Sequence, residues 1–353
     1  MGFLNSIPQP TGFWFNILFA FENWLGSYVL GIILITVIIK LALLPLDVVN
    51  KYTSKKNSRV QQILKPEIEK IKKKYSNNPQ MENQKTMELY KRENHSVIGT
   101  CVGMLVYMAL TLTIFFTLLS SFNTIASYKI YNEYTQMEAI YEDKFNEVIS
   151  INPADEELAT NEAELAVINS YSDIKTGFLW IQNIWRPDTS TRIVLTYKDF
   201  SDLVKHLNLN EEQKINEEQY AKIVTNSFDR GEGAIYHGWN GMFLVSILAA
   251  LLTYGSMKVT VIMNKMKAKK ENKEYIAGPE GGKAMTYVMP LIMGIFTLLY
   301  NAAFGIYIVA GAIVGFITGP LVNFLVDKID DKIQYNNEMK RTASYSRTKR
   351  EIK

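Results

Sequence analysis

A single cysteine, Cys101, serves 353 residues. One thiol closes no intramolecular disulfide and builds no cysteine-cluster metal site. It also lies too far from the start to anchor a lipoprotein. Histidine is nearly as scarce, with three in the chain. No histidine–acid–nucleophile set falls in the apolar stretches, which argues against a hydrolase. His206, away from the membrane edge, reads as a surface or packing residue. The chain therefore reads as a non-enzyme that needs no metal or cofactor. The first 39 residues hold no Lys or Arg. A secretory signal needs a basic n-region, so a cleaved signal is not expected and the first span reads as permanent. GPEGGKA, at 278–284, lacks phosphate-loop spacing and has no Ser or Thr after its lysine, so it reads as a linker. Internal repeats and several intramembrane charges, the marks of a transporter, are missing too.

What is present is sharp alternation. Long apolar blocks alternate with charged ones, so a net charge of +3 conceals strong polarity. Residues 1–24 are aromatic-rich and read as an interfacial helix with Trp14, Phe15, Phe19 and Trp24 at headgroup depth. Leu25 to Leu46 has the length a bilayer core requires. One charge, Lys40, sits inside it, at a cost of about 2.5–3.5 kcal/mol unless it meets water, a partner or an interface. Thr36 and Asp47 share its helical face, Asp47 as a possible counter-ion. The segment 50–95 holds twelve Lys or Arg against five Glu. Val60, Ile63, Leu64, Ile68, Ile71 and Tyr75 form a stripe at helical spacing. SNNP at 76–79 marks a turn, so an αα-hairpin is expected, with i,i+4 pairs Glu69–Lys73 and Glu88–Arg92.

Gly99 to Ser121 is the second span, closing the block 25–121. Residues 122–240 form an insert with twenty acidic and ten basic residues. Ile130, Tyr134, Met137, Tyr141, Phe145 and Val148 recur there at helical spacing, so the insert reads as mainly helical around a loop, FLWIQNIWRPD (178–188). Residues 241–326 hold the last three spans. Lys258 snorkels from the first of these, and Gly311, Gly315 and Gly319 in the last permit close helix approach. The tail, 327–353, is basic and ends in a segment expected to be flexible. Segments after spans one, three and five hold twelve, six and eight basic residues. The positive-inside rule then puts the N-terminus and the insert outside and the tail in the cytoplasm. The fold class is an all-α polytopic membrane protein with a helical hairpin on the inner face.

IIKLALLPL (38–46), KPEIEKIKKKY (65–75), LYKREN (89–94) and FLWIQNIWRPD follow one another in an order that resembles the YidC family of membrane protein insertases and their Oxa-type mitochondrial relatives. The resemblance covers the five spans and the hairpin. It implies a five-span insertase core around a hydrated groove in a bacterial plasma membrane, working without nucleotide. Lys40 takes the place of the family's groove charge, usually arginine. Thr36, Tyr107, Thr111 and Thr253 are candidate groove-lining groups. Spans two and four match the family's hydrophobic slide, here Met104, Met108, Phe115, Met289, Met293 and Phe296. The implied partners are newly made membrane proteins and the lipid bilayer. The ribosome, through the basic tail, the Sec translocon and an unknown partner of the acidic insert complete the candidates. The chain departs from the family at GTCVG (99–103), YMA (107–109) and NAAF (301–304), where two prolines, a glutamine and a Pro-Ala-Gly-Leu are replaced. These departures suggest a specialised member and keep open an alternative, a non-inserting membrane scaffold that recruits partners through the insert.

Overall fold

A computed structural model of the protein describes residues 7–92, 97–229, 231–270 and 283–351. The side chains of 61, 97–102, 104, 231–232, 234, 283–284, 337–338 and those from 340 onward are not described. Most of the linker at 278–284, and the side chains of Cys101 and Met104, therefore lie outside the described part of the chain. The described residues are mostly helical, with two isolated β-bridges and no strand among them.

Helix α1 spans Phe13–Leu25 and ends where Gly26, at φ 66°, returns its N–H to the Glu22 carbonyl. A left-handed cap of this kind suits glycine, which has no Cβ to crowd the carbonyl. The first span thus begins at Tyr28, after the break, rather than at Leu25. Helix α2, Tyr28–Lys74, then runs without interruption through Pro45 and Pro66 into the basic segment. Span and first hairpin arm are one helix, about 70 Å long at 1.5 Å per residue. After the turn at 75–78 comes α3, Pro79–Arg92. Leu64 and Leu89 are buried in the hairpin, whereas Ile63, counted in the stripe, is 68 % exposed. The expected Glu88–Arg92 pair is replaced. Arg92 reaches Glu67 on the opposite arm at 2.8 Å, and Glu88 takes Lys85 at 2.7 Å.

Helix α4, Val97–Ile151, carries the second span and continues into the insert with no break at residue 121. Among the described residues, four helices are long and apolar enough to cross a membrane, within Tyr28–Val60, Leu105–Ile151, Leu244–Lys270 and Ala302–Asn336. A fifth apolar helix, Met285–Leu299, is shorter. These are α9 (Leu244–Lys270), α10 (Lys283–Leu299) and α11 (Ala302–Glu351) in the second half. The chain is an all-α polytopic membrane protein. α11 stays helical to Glu351, so residues 341–351, in the tail segment expected to be flexible, continue the helix of the last span.

The chain divides into two compact units. The first comprises Met1–Thr36, Phe115–Leu252 and Pro290–Ala310. Its core is aromatic. Ile130, Tyr134, Met137 and Tyr141 are buried along one face of α4, and Tyr134 stacks on Tyr220 with centroids 5.7 Å apart. α5 (Glu156–Ile174), α6 (Tyr197–Val204), α7 (Glu217–Tyr220) and α8 (Asn226–Phe228) surround that face, with a π-turn at Ala221–Thr225 joining α7 to α8. Asp155 caps α5 and Thr196 caps α6, each accepting a backbone N–H three residues on. α1 docks here as well. Glu22 pairs with Lys129 at 2.6 Å, Trp14 Nε1 donates to Thr117 at 3.1 Å, and Phe19 meets Tyr128 edge-on at 6.0 Å. Of the residues expected at headgroup depth, Phe19 is instead buried against α4, while Trp24 is 74 % exposed.

The second unit comprises Val37–Ile114, Thr253–Met289 and Gly311–Lys353. Small residues let α9 and α11 pack closely. The Cβ positions of Gly315 and Gly319 would lie 3.7 Å from Ser256 and 3.1 Å from Thr260, and the Phe316 ring fills the space at Gly255. Apolar helices in lipid associate through such fits, since burial from lipid gives little drive.

Candidate functional site

Lys40 lies on α2 in the second unit, half-buried. Among the described residues no hydrogen bond or ion pair to it is formed. Asp47, the expected counter-ion, accepts instead from the Tyr107 hydroxyl and so ties α2 to α4. Thr111 bonds its own helix, donating to the Tyr107 and Met108 carbonyls at 3.0 Å. Thr253 is half-buried in the same unit. Thr36 belongs to the first unit, is 1 % exposed and donates to the Ile32 carbonyl at 2.7 Å. The Thr36 and Thr111 hydroxyls are thus satisfied locally, as helical threonines often are.

The slide residues also divide. Phe115 and Phe296 meet edge-on at 5.7 Å in the first unit, where Phe115 also touches Phe304 at 5.4 Å. Met293 lies in that unit and Met108 and Met289 in the second. Met108 is 49 % exposed. Lys258 sits with its ammonium 5.6 Å from both the Tyr254 and Tyr287 rings, a cation–π arrangement between α9 and α10.

Two polar constructions had no forecast in the sequence. The first secures the helix ends on the insert's side. Asn183 and Asn240 form a reciprocal pair, Asn183 N–H to Asn240 Oδ1 at 2.7 Å and Asn240 Nδ2 to the Asn183 carbonyl at 2.8 Å. The Asn183 amide also donates to both Glu133 oxygens, at 3.0 and 2.9 Å. Asp188 accepts from the N–H of Val245 at 3.0 Å, in the first turn of α9. A Cβ at Gly241 would overlap the Asp188 carboxylate, so only glycine allows this approach. The Ile184 and Arg186 carbonyls accept from Ala303 and Ala302, the first N–H groups of α11, both at 2.8 Å. Asn301 caps α11 through Phe304 N–H at 3.0 Å and reaches the Phe122 carbonyl at 3.3 Å. Helix starts expose unpaired N–H groups. Here one loop, 183–188, supplies acceptors to two of them. The sequence signals were an Asn and an Asn-Gly pair placed just before apolar runs, the positions where caps belong.

Glu133 is 5 % exposed. Burial pushes its carboxyl up to about 8, against the opposing pull of Asn183, Arg186, Lys175 and Lys129. The second construction lies in the second unit and joins α2, α9 and α11. Lys55 bridges Asp327 and Asp330, both at 2.8 Å, Arg59 joins Asp330, and Lys267 joins Asp327. Burial acts to raise both aspartates, but hydrogen bonds from Lys267 and Lys55 at Asp327, and from Arg59 and Lys55 at Asp330, outweigh it and hold them below the usual range.

Residues 20–328 match the family model described as 60Kd inner membrane protein. The chain is similar to the membrane protein insertase YidC of Fusobacterium nucleatum, with 36 % identity over 111 residues, 31 % of this chain and 51 % of that protein. It is similar also to YidC of Clostridium perfringens, with 35 % identity over 123 residues, 32 % of this chain and 50 % of that protein. With YidC of Clostridium tetani it shares 38 % over 90 residues, 26 % of this chain and 39 % of the relative. The chain thus spans about half the length, or less, of these curated relatives. The family match runs from the end of α1 to the start of the Asp327–Asp330 cluster, through every apolar helix and the insert between them, and on that extent the chain belongs to the 60Kd inner membrane protein family.

Proposed function

We propose that this protein is a membrane protein insertase that moves client transmembrane segments into the bilayer through a hydrated groove, without nucleotide. The observation that carries the reading is Lys40, a half-buried cation in an apolar helix of a family member, with no ion-pair partner among the described residues. Such a charge is retained against its cost when a wet cavity or an anionic visitor compensates it. An acidic or polar client tail supplies that compensation for a moment, and Coulomb attraction is stronger where water is scarce. Apolar client residues then partition into lipid, each Leu-like residue gaining about 0.3–0.6 kcal/mol. Nothing in this cycle requires a bond to be made or broken.

In this reading the N-terminus and the insert face outward and the tail lies in the cytoplasm of a bacterial cell. Spans two and four offer the slide, through Met104, Met108, Phe115, Met289, Met293 and Phe296. The basic tail is the surface for a ribosome, and the Sec translocon is a candidate neighbour. The test is insertion of single- and double-span clients into proteoliposomes or depleted cells. Lys40→Ala should reduce insertion severalfold, and Lys40→Arg should preserve most of it. Full activity of Lys40→Ala on every client would overturn the groove-charge role.

A further inference from the structure

Among the described residues, three that are not glycine adopt left-handed backbone: Leu179 at φ 52°, Met242 at φ 56° and Phe243 at φ 63°. This region ordinarily falls to Gly, Asn or Asp, because a larger side chain crowds its own carbonyl. Here all three residues are large and apolar, and they are 75, 64 and 39 % exposed. Two exposed tryptophans adjoin them, Trp180 and Trp239, and Trp239 packs on Phe243 at 5.1 Å.

The two turns that carry these residues are joined at the base. Phe178 and Ile181 exchange backbone hydrogen bonds at 2.9 Å, closing the first turn. Gln182 N–H donates to the Asn240 carbonyl at 2.9 Å, and the Asn183–Asn240 pair lies beside it. The polar side of this base is satisfied by protein, so the strained tips are held outward by a rigid support. Met242 and Phe243 lead directly into α9, whose first turns present Leu244 and Ile247 at 40 and 50 % exposure. That continuity sets the depth. The tips stand where the lipid-facing surface of a span begins.

We propose that the turns 178–181 and 239–243 form a membrane anchor that dips into the leaflet on the insert's side, with the headgroup–acyl boundary as its occupant. Tryptophan, phenylalanine, methionine and leucine together match that boundary, where an apolar body and a polar ring edge are both accommodated. A water-filled setting would leave all five side chains hydrated, three of them at backbone positions that cost strain to hold.

The experiment uses the full chain with Cys101→Ser, reconstituted in phosphatidylcholine–phosphatidylglycerol liposomes. Spin labels are placed at Leu179→Cys, Met242→Cys and, as the aqueous reference, Ile151→Cys at the far end of α4, where Ile151 is 77 % exposed. Collision with oxygen and with a water-soluble nickel chelate reads depth. The expected result is oxygen exceeding nickel at 179 and 242 and the reverse at 151. A ratio at 179 and 242 equal to that at 151 overturns the proposal. Shielding from both reagents also overturns it, because that marks cover by a second copy or another protein. The unlabelled chain provides a second reading through its five tryptophans. Brominated lipids should quench a smaller fraction of the emission after Trp180→Phe with Trp239→Phe, and an unchanged fraction counts against the anchor.

Discussion

A buried carboxyl at Glu133 and the paired carboxylates at Asp327 and Asp330 sit on the same chain, and they respond to pH in opposite ways. Glu133 is neutral in the folded protein up to about 8, whereas its ordinary value is 4.5. A raised carboxyl contributes stability that is full below the ordinary value and is lost as pH climbs through the folded one. Thermal stability in detergent should therefore rise as pH drops from 8 toward 5. Glu133→Gln should flatten that slope, and a slope unchanged in the variant would show that other groups dominate. Asp327 and Asp330 have the opposite sign, since both are held low. Their contribution is full above the usual aspartate value of about 4 and is lost as pH falls through their lowered values. Hydrogen exchange around Lys55 on α2 and Asp327 on α11 should stay slow at pH 5 and accelerate in acid, and Asp330→Asn should bring the acceleration to milder pH.

Among the elements, the helix starts carry the strongest test. Asp188 caps α9 from a distant loop, and removing a capping side chain costs about 0.5–2 kcal/mol. Asp188→Ala should lower the melting temperature, and Gly241→Ala should do so too, because its Cβ overlaps the Asp188 carboxylate. Equal melting of both variants and the parent would deny the cap. The apolar blocks were legible in the sequence because twenty or so apolar residues in a row have one economical fate. The hairpin was legible through SNNP and its stripe, of which Leu64 is buried, whereas the buried Leu89 on the second arm belonged to no pattern. Helix continuity was not legible. α2 accommodates both Pro45 and Pro66 without a break, and nothing local told that α4 would pass residue 121. Cross-helix choices also escaped. Glu67, twenty-five residues from Arg92, outcompetes Glu88 for it, a contest that spacing within one helix cannot reveal. For the candidate site, Lys40 stood out as a charge where none is cheap. The loop 183–188 did not, because its work is done on partners more than fifty residues away.

On the scale of the whole molecule, the insert is bound up with the membrane helices. Its loop holds the starts of α9 and α11, and α4 passes from span to insert as one helix. Removing 122–240 outright should therefore give an unstable protein. Trimming α5 to α8 while keeping 176–192 and 237–243 should leave a better-behaved one, judged by size-exclusion profile and protease resistance in detergent. Equal behaviour of the two deletions would mean that the loop is dispensable to the spans.

Helix α4 ends at Ile151, thirty residues beyond Ser121, which is about 45 Å of axis at 1.5 Å per residue. No proline or glycine interrupts that stretch. It behaves as a fixed mast and sets a standoff. Whatever engages its tip does so at a set reach from the last turn of the second span, and lengthening or shortening the mast by whole turns would change that reach while preserving the face it presents.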